Sequence, residues 1–395
     1  MLTAIVIIII GGALFSHIFE KCKLPGLIGM ICFGILIGPD GFNWLPKDFL
    51  AWSSELRQLA LVIILFRAGL TLNIKDLKQN SWQSIMMCFV PASFEIIGIA
   101  LLAPYLFNLP LADSLVLGTV LAAVSPAIIV PRMIDLIQTK WGTEKGIPQM
   151  ILAGSSADDI FVIILFSAFL TMAQTGVFHW VTLVELPVSI ITGLLIGYLI
   201  SHLFAWLFKF WHPKPAITSM MLLGFLYLLV ANEETIQQLI PYSALLSVFA
   251  FGLSSQHLMP EKHSLFTDTF SRYWDIAQIL LFVLVGTTVR LTVLQTVSFK
   301  GVILLFGALF IRSIGVMLAT TGARLSWKER AFTVIAYLPK ATVQAAIGAT
   351  PLAVGLQSGE IILAIAVLAI LITAPIGAFL IDLLSPHLLT QTKDK

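Results

Sequence analysis

Charge is scarce in this sequence: of 395 residues only 11% are Asp, Glu, Lys or Arg, where soluble domains carry roughly a quarter. Twenty-three Lys and Arg against 21 Asp and Glu leave a net charge of +2, which offers no basic surface for nucleic acid. Cysteine is scarce as well. The three present, Cys22, Cys32 and Cys88, show no CxxC or other ligand spacing, so neither a disulfide framework nor a zinc site is indicated, and they read as small apolar fillers. A GxxxxGK[ST] phosphate loop is missing, so the driving force is expected to be an ion gradient rather than ATP hydrolysis, and no cofactor is expected. What the chain has instead is apolar bulk. At 58% apolar residues and a mean hydropathy of +0.97 it is built to dissolve in lipid.

Cutting the sequence where polar and turn residues cluster leaves apolar runs near 2–19, 24–38, 58–73, 83–106, 112–131, 147–172, 178–208, 216–231, 239–255, 273–291, 299–321, 331–352 and 359–384. These are thirteen candidate helices in an all-α membrane protein. Most approach the ~20 residues that a ~30 Å hydrocarbon core demands, and the shorter ones are expected to be tilted, broken or packed inside the bundle. The first run lacks a basic n-region and a small-residue cleavage site, and reads as a retained helix. With the N-terminus outside, the inner loops hold sixteen basic residues, including Lys21, Lys23, Lys75, Lys78, Lys393 and Lys395, and the outer loops four: Lys47, Arg57, Arg290 and Lys300. That bias predicts a cytoplasmic C-terminus, with residues 386–395 a short tail.

The chain also resembles itself. LVIILFRAGLTL (61–72) matches QILLFVLVGTTVRL (278–291) with Gly69 on Gly286, Pro25 falls near Pro241 ahead of LLSVFAFG, and AVSPAIIVP (123–131) matches AYLPKATVQ (336–344). Residues 1–177 thus read as a first six-helix repeat, 178–215 as a linker helix and 216–385 as a second repeat. One intervening helix makes the second set enter the membrane from the opposite side, the inverted plan of secondary transporters with a midplane site between broken helices.

An ionised side chain within a span costs about 2.5–3.5 kcal/mol even on a lenient scale, so each needs a partner or a task. Glu95 (PASFEIIGIALLA) and Arg312 (LFIRSIGVMLAT) stand 217 positions apart, the repeat offset, and are expected to form an ion pair. Asp158 and Asp159 lie together in AGSSADDIFVII, about 100° apart on a helix, so they serve different neighbours. Lys340 is the available cation. It follows Pro339, which is expected to open its helix as Ser125-Pro126 opens another. Two opened helices would bring carbonyls and helix-end dipoles beside the aspartates, which suits a small cation shedding part of its water. Arg67 is close enough to a helix end to snorkel and receives no transport role.

Together SPAIIVP, GSSADD and LPKATVQAAIG resemble the monovalent cation:proton antiporter superfamily, in its two-aspartate branch, and most of all the sodium/hydrogen exchanger subfamily B group with its bacterial relatives. The resemblance spans nearly the whole chain, and PKATVQAAIG is its specific part. It implies an NhaA-like inverted-repeat fold with two crossed unwound helices and exchange of sodium or lithium for protons by an elevator-like movement. It also implies a core transport domain, near 83–172 and 299–384, and a dimerisation domain from the remainder, hence a homodimer in the plasma (inner) membrane. Carried over, Asp159 resembles the essential ion-binding carboxylate and Asp158 the neighbour that pairs with a basic residue, here Lys340. Ser155 and Ser156 would add hydroxyls, and Ser125, Pro126, Pro339 and Thr342 would form the broken-helix segments. Glu95 and Arg312 match an additional ion pair of the subfamily B group. The sequence departs in having arginine at 312, where many bacterial members have a lysine that contacts the first aspartate.

Rival readings are weaker. An intramembrane aspartyl protease needs two aspartates facing each other from separate helices. A potassium/proton antiporter or a gated potassium-efflux channel shares the fold but, for the channel, a nucleotide-binding regulatory domain would be expected. Two carboxylates disfavour an organic anion. His257 and His263, expected in an inner loop, are candidates for pH regulation. Gly193 and Gly197 form a GxxxG compatible with close helix packing.

Overall fold

With no water to satisfy backbone groups, an apolar run of about 20 residues resolves into a helix that bonds to itself. The computed structural model describes residues 2–22, 24–71, 81–176, 180–211 and 214–391. In chain order the helices are α1 (Leu2–Lys21), α2 (Gly26–Ile37), the short α3 (Lys47–Ala51), α4 (Ser53–Thr71), α5 (Ser81–Phe107), α6 (Leu111–Ala122), α7 (Pro126–Gln138), α8 (Ile147–Thr175), α9 (Trp180–Phe210) and α10 (Pro215–Ala231). They continue as the short α11 (Glu233–Gln237), α12 (Ala244–Leu258), α13 (Pro260–Thr288), α14 (Leu291–Ala319), α15 (Trp327–Ala336), the short α16 (Thr342–Ile347) and α17 (Thr350–Ala353), and α18 (Gly359–Leu388). Among the described residues there is no strand, only an isolated bridge between Trp141 and Gln391. Segments of α1, α5, α9, α14 and α18 are long and apolar enough to cross a membrane.

Polarity is inside out relative to a soluble protein. Along α1 every fourth residue, Leu2, Val6, Ile10, Leu14 and Ile18, is exposed, whereas Glu95, Asp158, Arg312 and Lys340 are fully buried. Apolar solvent around a polar interior produces that arrangement.

The chain divides into two compact units, one from residues 1–46, 73–176 and 282–395 and the other from 47–72 and 177–281. Helices near 83–172 and 299–384 fall in the first, together with the N-terminal segment. Within the first unit α2 crosses α13 at Gly34 and Gly286, where a Cβ on Gly34 would lie 2.9 Å from the Gly286 Cα. Within the second unit α4 crosses α12 at Gly69 and Gly252, where a Cβ on Gly69 would lie 3.0 Å from the Gly252 Cα. Gly193 and Gly197 are used inside the second unit too, against α12, where Ser247 Oγ donates to the Gly193 carbonyl at 2.8 Å.

Several expectations change. Helical structure runs back to Pro260, so His257 and His263 lie not in a loop but in the last turn of α12 and the first turns of α13. Proline at the first helical position, where its missing N–H costs nothing, starts α13 early. Arg57, expected in an outer loop, is buried in α4 and donates to Ser53 Oγ at 2.5 Å, one turn back. Cys88 is buried, but Cys22 lies exposed past the end of α1 and fills nothing. Lys23, Lys75, Lys78, Lys393 and Lys395, which contribute to the charge bias, lie outside the described residues.

Candidate ion site

The site begins with two interruptions. The apolar run 112–131 stops being helical at Ala123 and resumes at Pro126, with Ala123 and Ser125 extended. Pro126 has no N–H to continue α6 and disfavours a helical Ser125, yet it fits the first position of α7. The run 331–352 breaks after Ala336, passes through Pro339, and restarts at Thr342. The breaks meet: the Ser125 N–H donates to the Pro339 carbonyl at 2.9 Å.

A broken helix leaves carbonyls without partners. Here side chains from α14, from α16 and from the Pro339 break supply them. Lys340 Nζ donates to the Leu121 carbonyl at 2.6 Å, Arg312 Nη1 to the Ala122 carbonyl, and Gln344 Nε2 to the Ala123 carbonyl at 2.8 Å. The Val124 N–H donates to Asp158 Oδ2 at 3.1 Å. On the other break, the Lys340 N–H donates to Thr373 Oγ1 of α18 at 3.0 Å.

The same side chains form a charge network. Arg312 Nη1 lies 2.5 Å from Glu95 Oε2, while Nη2 reaches Asp158 Oδ2 at 3.3 Å. Lys340 Nζ lies 2.8 Å from Glu95 Oε1. The structure therefore corrects the expected Asp158–Lys340 pair: Lys340 binds Glu95, and Arg312 is the cation on Asp158. Reach explains it. The Lys340 backbone is tied to Thr373 and its ammonium is drawn to the open end of α6 beside Glu95, while the planar guanidinium fork can span two carboxylates. All four groups are buried, where an unpartnered charge is costly.

Asp159 is different. It is 8% exposed and forms no ion pair among the described residues, and its Oδ1 has no hydrogen-bond partner there. Asp158 Oδ1, Ser125 Oγ, Thr342 Oγ1 and Gln344 Oε1 are likewise buried oxygens without a partner among the described residues. Ser155 is buried and its hydroxyl donates to the Leu152 carbonyl at 3.2 Å, which leaves its oxygen able to accept. The Ser156 side chain lies outside the described residues. Exposed His257 and half-buried His263 sit in the second unit, and the two aspartates in the first.

Sequence reasoning missed three contributors. Gln344 bridges two carbonyls of the break, Thr373 holds Lys340, and Tyr337 lies with its ring 5.5 Å from the Arg312 guanidinium carbon. A polar Gln344 within the apolar run 331–352 was the available signal. Nothing in the pattern singles out Tyr337 or Thr373. Away from the network, Arg132 holds Asp382 through two bonds of 2.9 and 3.1 Å, and Lys145 holds Glu329 at 2.8 Å.

Interrupted helices meeting over buried charge, within a bundle that turns apolar side chains outward, define a secondary-transporter type of membrane protein. A family model described as sodium/hydrogen exchanger, transmembrane, matches residues 5–384. The chain belongs to the sodium/hydrogen exchanger family and is a multi-pass membrane protein. It is 36% identical over 407 residues to sodium/hydrogen exchanger 9B2 of Homo sapiens, covering 98% of this chain and 74% of that one. It is 32% identical over 402 residues to sodium/hydrogen exchanger 9B1 of Mus musculus, covering 94% and 67%. Its fold is that of the sodium proton antiporter MjNhaP1 from Methanocaldococcus jannaschii, with a TM-score of 0.85 at 19% identity over 98% of each chain.

Proposed function

We propose that this protein is a secondary-active antiporter that exchanges sodium or lithium for protons, with cation and proton competing for Asp158 and Asp159. The observation that carries the reading is the charge balance of the buried network. Glu95 and Asp158 are matched by Arg312 and Lys340, which leaves the carboxylate of Asp159 as surplus. A bare carboxylate there is costly, so the site is stable when it holds either a proton or a cation. Sodium and protons then exclude one another, and that exclusion is the coupling. The oxygens of Asp158, Ser125 and Thr342 that have no partner among the described residues, with Ser155, offer a hydrated cation the hard ligands it needs.

Alternating access would follow if only the neutralised site moves across the membrane. The two glycine crossings support an inverted repeat behind such a movement: Gly34 maps to Gly252 and Gly286 to Gly69 at offsets of 218 and 217, so one crossing is the repeat image of the other. We further infer that the N-terminus lies outside, on the charge bias of the loops, and, on the family resemblance alone, a homodimer in the plasma membrane. The relatives are named as sodium/hydrogen exchangers, which favours sodium over the potassium reading.

The test is exchange in proteoliposomes. Sodium or lithium added against a pH gradient should move protons with the native protein, and Asp159→Asn should abolish this while eluting as a folded particle in detergent. Retained exchange by that variant would remove Asp159 from the mechanism. A response to potassium equal to that for sodium would transfer the reading to potassium exchange.

A further inference from the structure

Arg312 sits between two acids and treats them unequally, at 2.5 Å from Glu95 and 3.3 Å from Asp158. Charge-assisted bonds of this kind settle near 2.7–2.9 Å, and an arginine free to choose commonly closes on a carboxylate with both prongs. On Asp158 it does not. Oδ2 takes Arg312 and the Val124 N–H, and Oδ1 is left without a partner among the described residues.

Besides Glu95 and the Ala122 carbonyl, which both accept from Nη1, the neighbour placed to restrain the guanidinium is Tyr337. It caps the end of α15 just before the Pro339 break, is fully buried, and lies 5.5 Å from the guanidinium carbon, a cation–π distance. Its far end abuts α8: a Cβ on Gly154, one turn before Asp158, would collide with the Tyr337 hydroxyl and lie 3.3 Å from Cζ. The ring is therefore wedged between the helix of the aspartates and the face of Arg312, and the missing side chain at Gly154 is what admits it.

We propose that Tyr337 is a positioning residue that holds Arg312 on Glu95 and back from Asp158, keeping an Asp158 oxygen open to the transported cation. Sodium then competes with an arginine that is restrained rather than free. The hydroxyl has no partner among the described residues, so the work belongs to the ring.

This rests on the antiport reading, and the experiment separates the two. Initial rates of sodium-driven proton movement are measured in proteoliposomes over a range of sodium concentrations at one pH. Tyr337→Leu should raise the sodium KM by about tenfold with kcat changed less than about twofold, the scale of one buried cation–π contact. Tyr337→Phe, which keeps the ring, should retain the native KM. Gly154→Ala, whose Cβ collides with the far end of the ring, should shift the sodium KM away from the native value, and adding Tyr337→Phe should return it part of the way by removing the colliding oxygen. This second pair decides the matter if Tyr337→Leu does not fold. Equal KM values for Phe and Leu, or a fall in kcat alone, would overturn the proposal while native exchange and an inactive Asp159→Asn leave the antiport reading standing. If the native protein moves no protons with sodium, the antiport reading itself fails.

Discussion

A buried ion pair is weak evidence for stability, because the cost of stripping water from both charges nearly cancels their attraction. Removing one member is another matter. Arg312→Ala strands Asp158, leaves Glu95 with Lys340 alone and opens the Ala122 carbonyl, so it should cost about 3–5 kcal/mol and lower the melting temperature in detergent markedly. Combined with Glu95→Ala the loss should be non-additive by about 1–3 kcal/mol, since the double variant removes both sides of one contact. Additive losses would show that the two do not interact in solution. Outside the spans, Lys145 and Ser326 act on Glu329. Burial by itself would raise its carboxyl, but these hydrogen bonds hold it below the ordinary glutamate value of 4.5. A carboxyl lowered on folding stabilises at neutral pH, and the contribution disappears as pH falls through the folded value. Glu329→Gln keeps the capping box with Ser326 but loses the charge on Lys145. The melting temperature should therefore drop at neutral pH, and the gap to the native protein should close as the pH is taken below about 4.5. The Glu95–Arg312 contact is legible in the sequence because opposite charges stand at the offset of the internal repeat. The partner of Lys340 is not, because its ammonium follows carbonyls whose positions exist only once α6 has ended.

At the scale of elements, the two breaks were visible as Pro126 and Pro339, since a proline within an apolar run removes a donor wherever it falls. What satisfies the freed carbonyls was not. Gln344 reaches α6 from 221 and 223 positions away, and no local pattern encodes so distant a bond. Gln344→Leu should leave the Ala123 carbonyl buried without a donor and cost about 1–3 kcal/mol, read as a lower melting temperature. The helix crossings offer a sharper comparison. Gly286→Ala would drive a Cβ into the Ile31 carbonyl and within 2.9 Å of the Gly34 Cα, both backbone, so the helices must part. Gly224→Ala meets nothing within 4 Å. The first should destabilise by about 1–3 kcal/mol and the second should leave stability unchanged or slightly improved, as alanine favours a helix. Equal melting temperatures for the two would argue against the close crossing.

For the whole molecule the network sets the charge that moves. Three carboxylates against two cations leave one negative charge, which one sodium or one proton cancels. If that one charge is what the proposed antiport cycle neutralises, exchange is one-for-one, and a sodium jump on membranes loaded with the protein should acidify or alkalinise the lumen with little net current. A sustained current would mean that a second proton, from Asp158 or Lys340, joins the cycle. Composition alone determined that this chain lives in lipid, because burying so few charges among so many apolar residues leaves no surface for water. Its self-similar segments, the prolines at 126 and 339 and a handful of membrane charges pointed to the segments that matter. Tertiary structure alone decided which cation faces which acid, and which carboxylate is left over, because those choices depend on distances between helix ends far apart along the chain and on the reach of side chains across them.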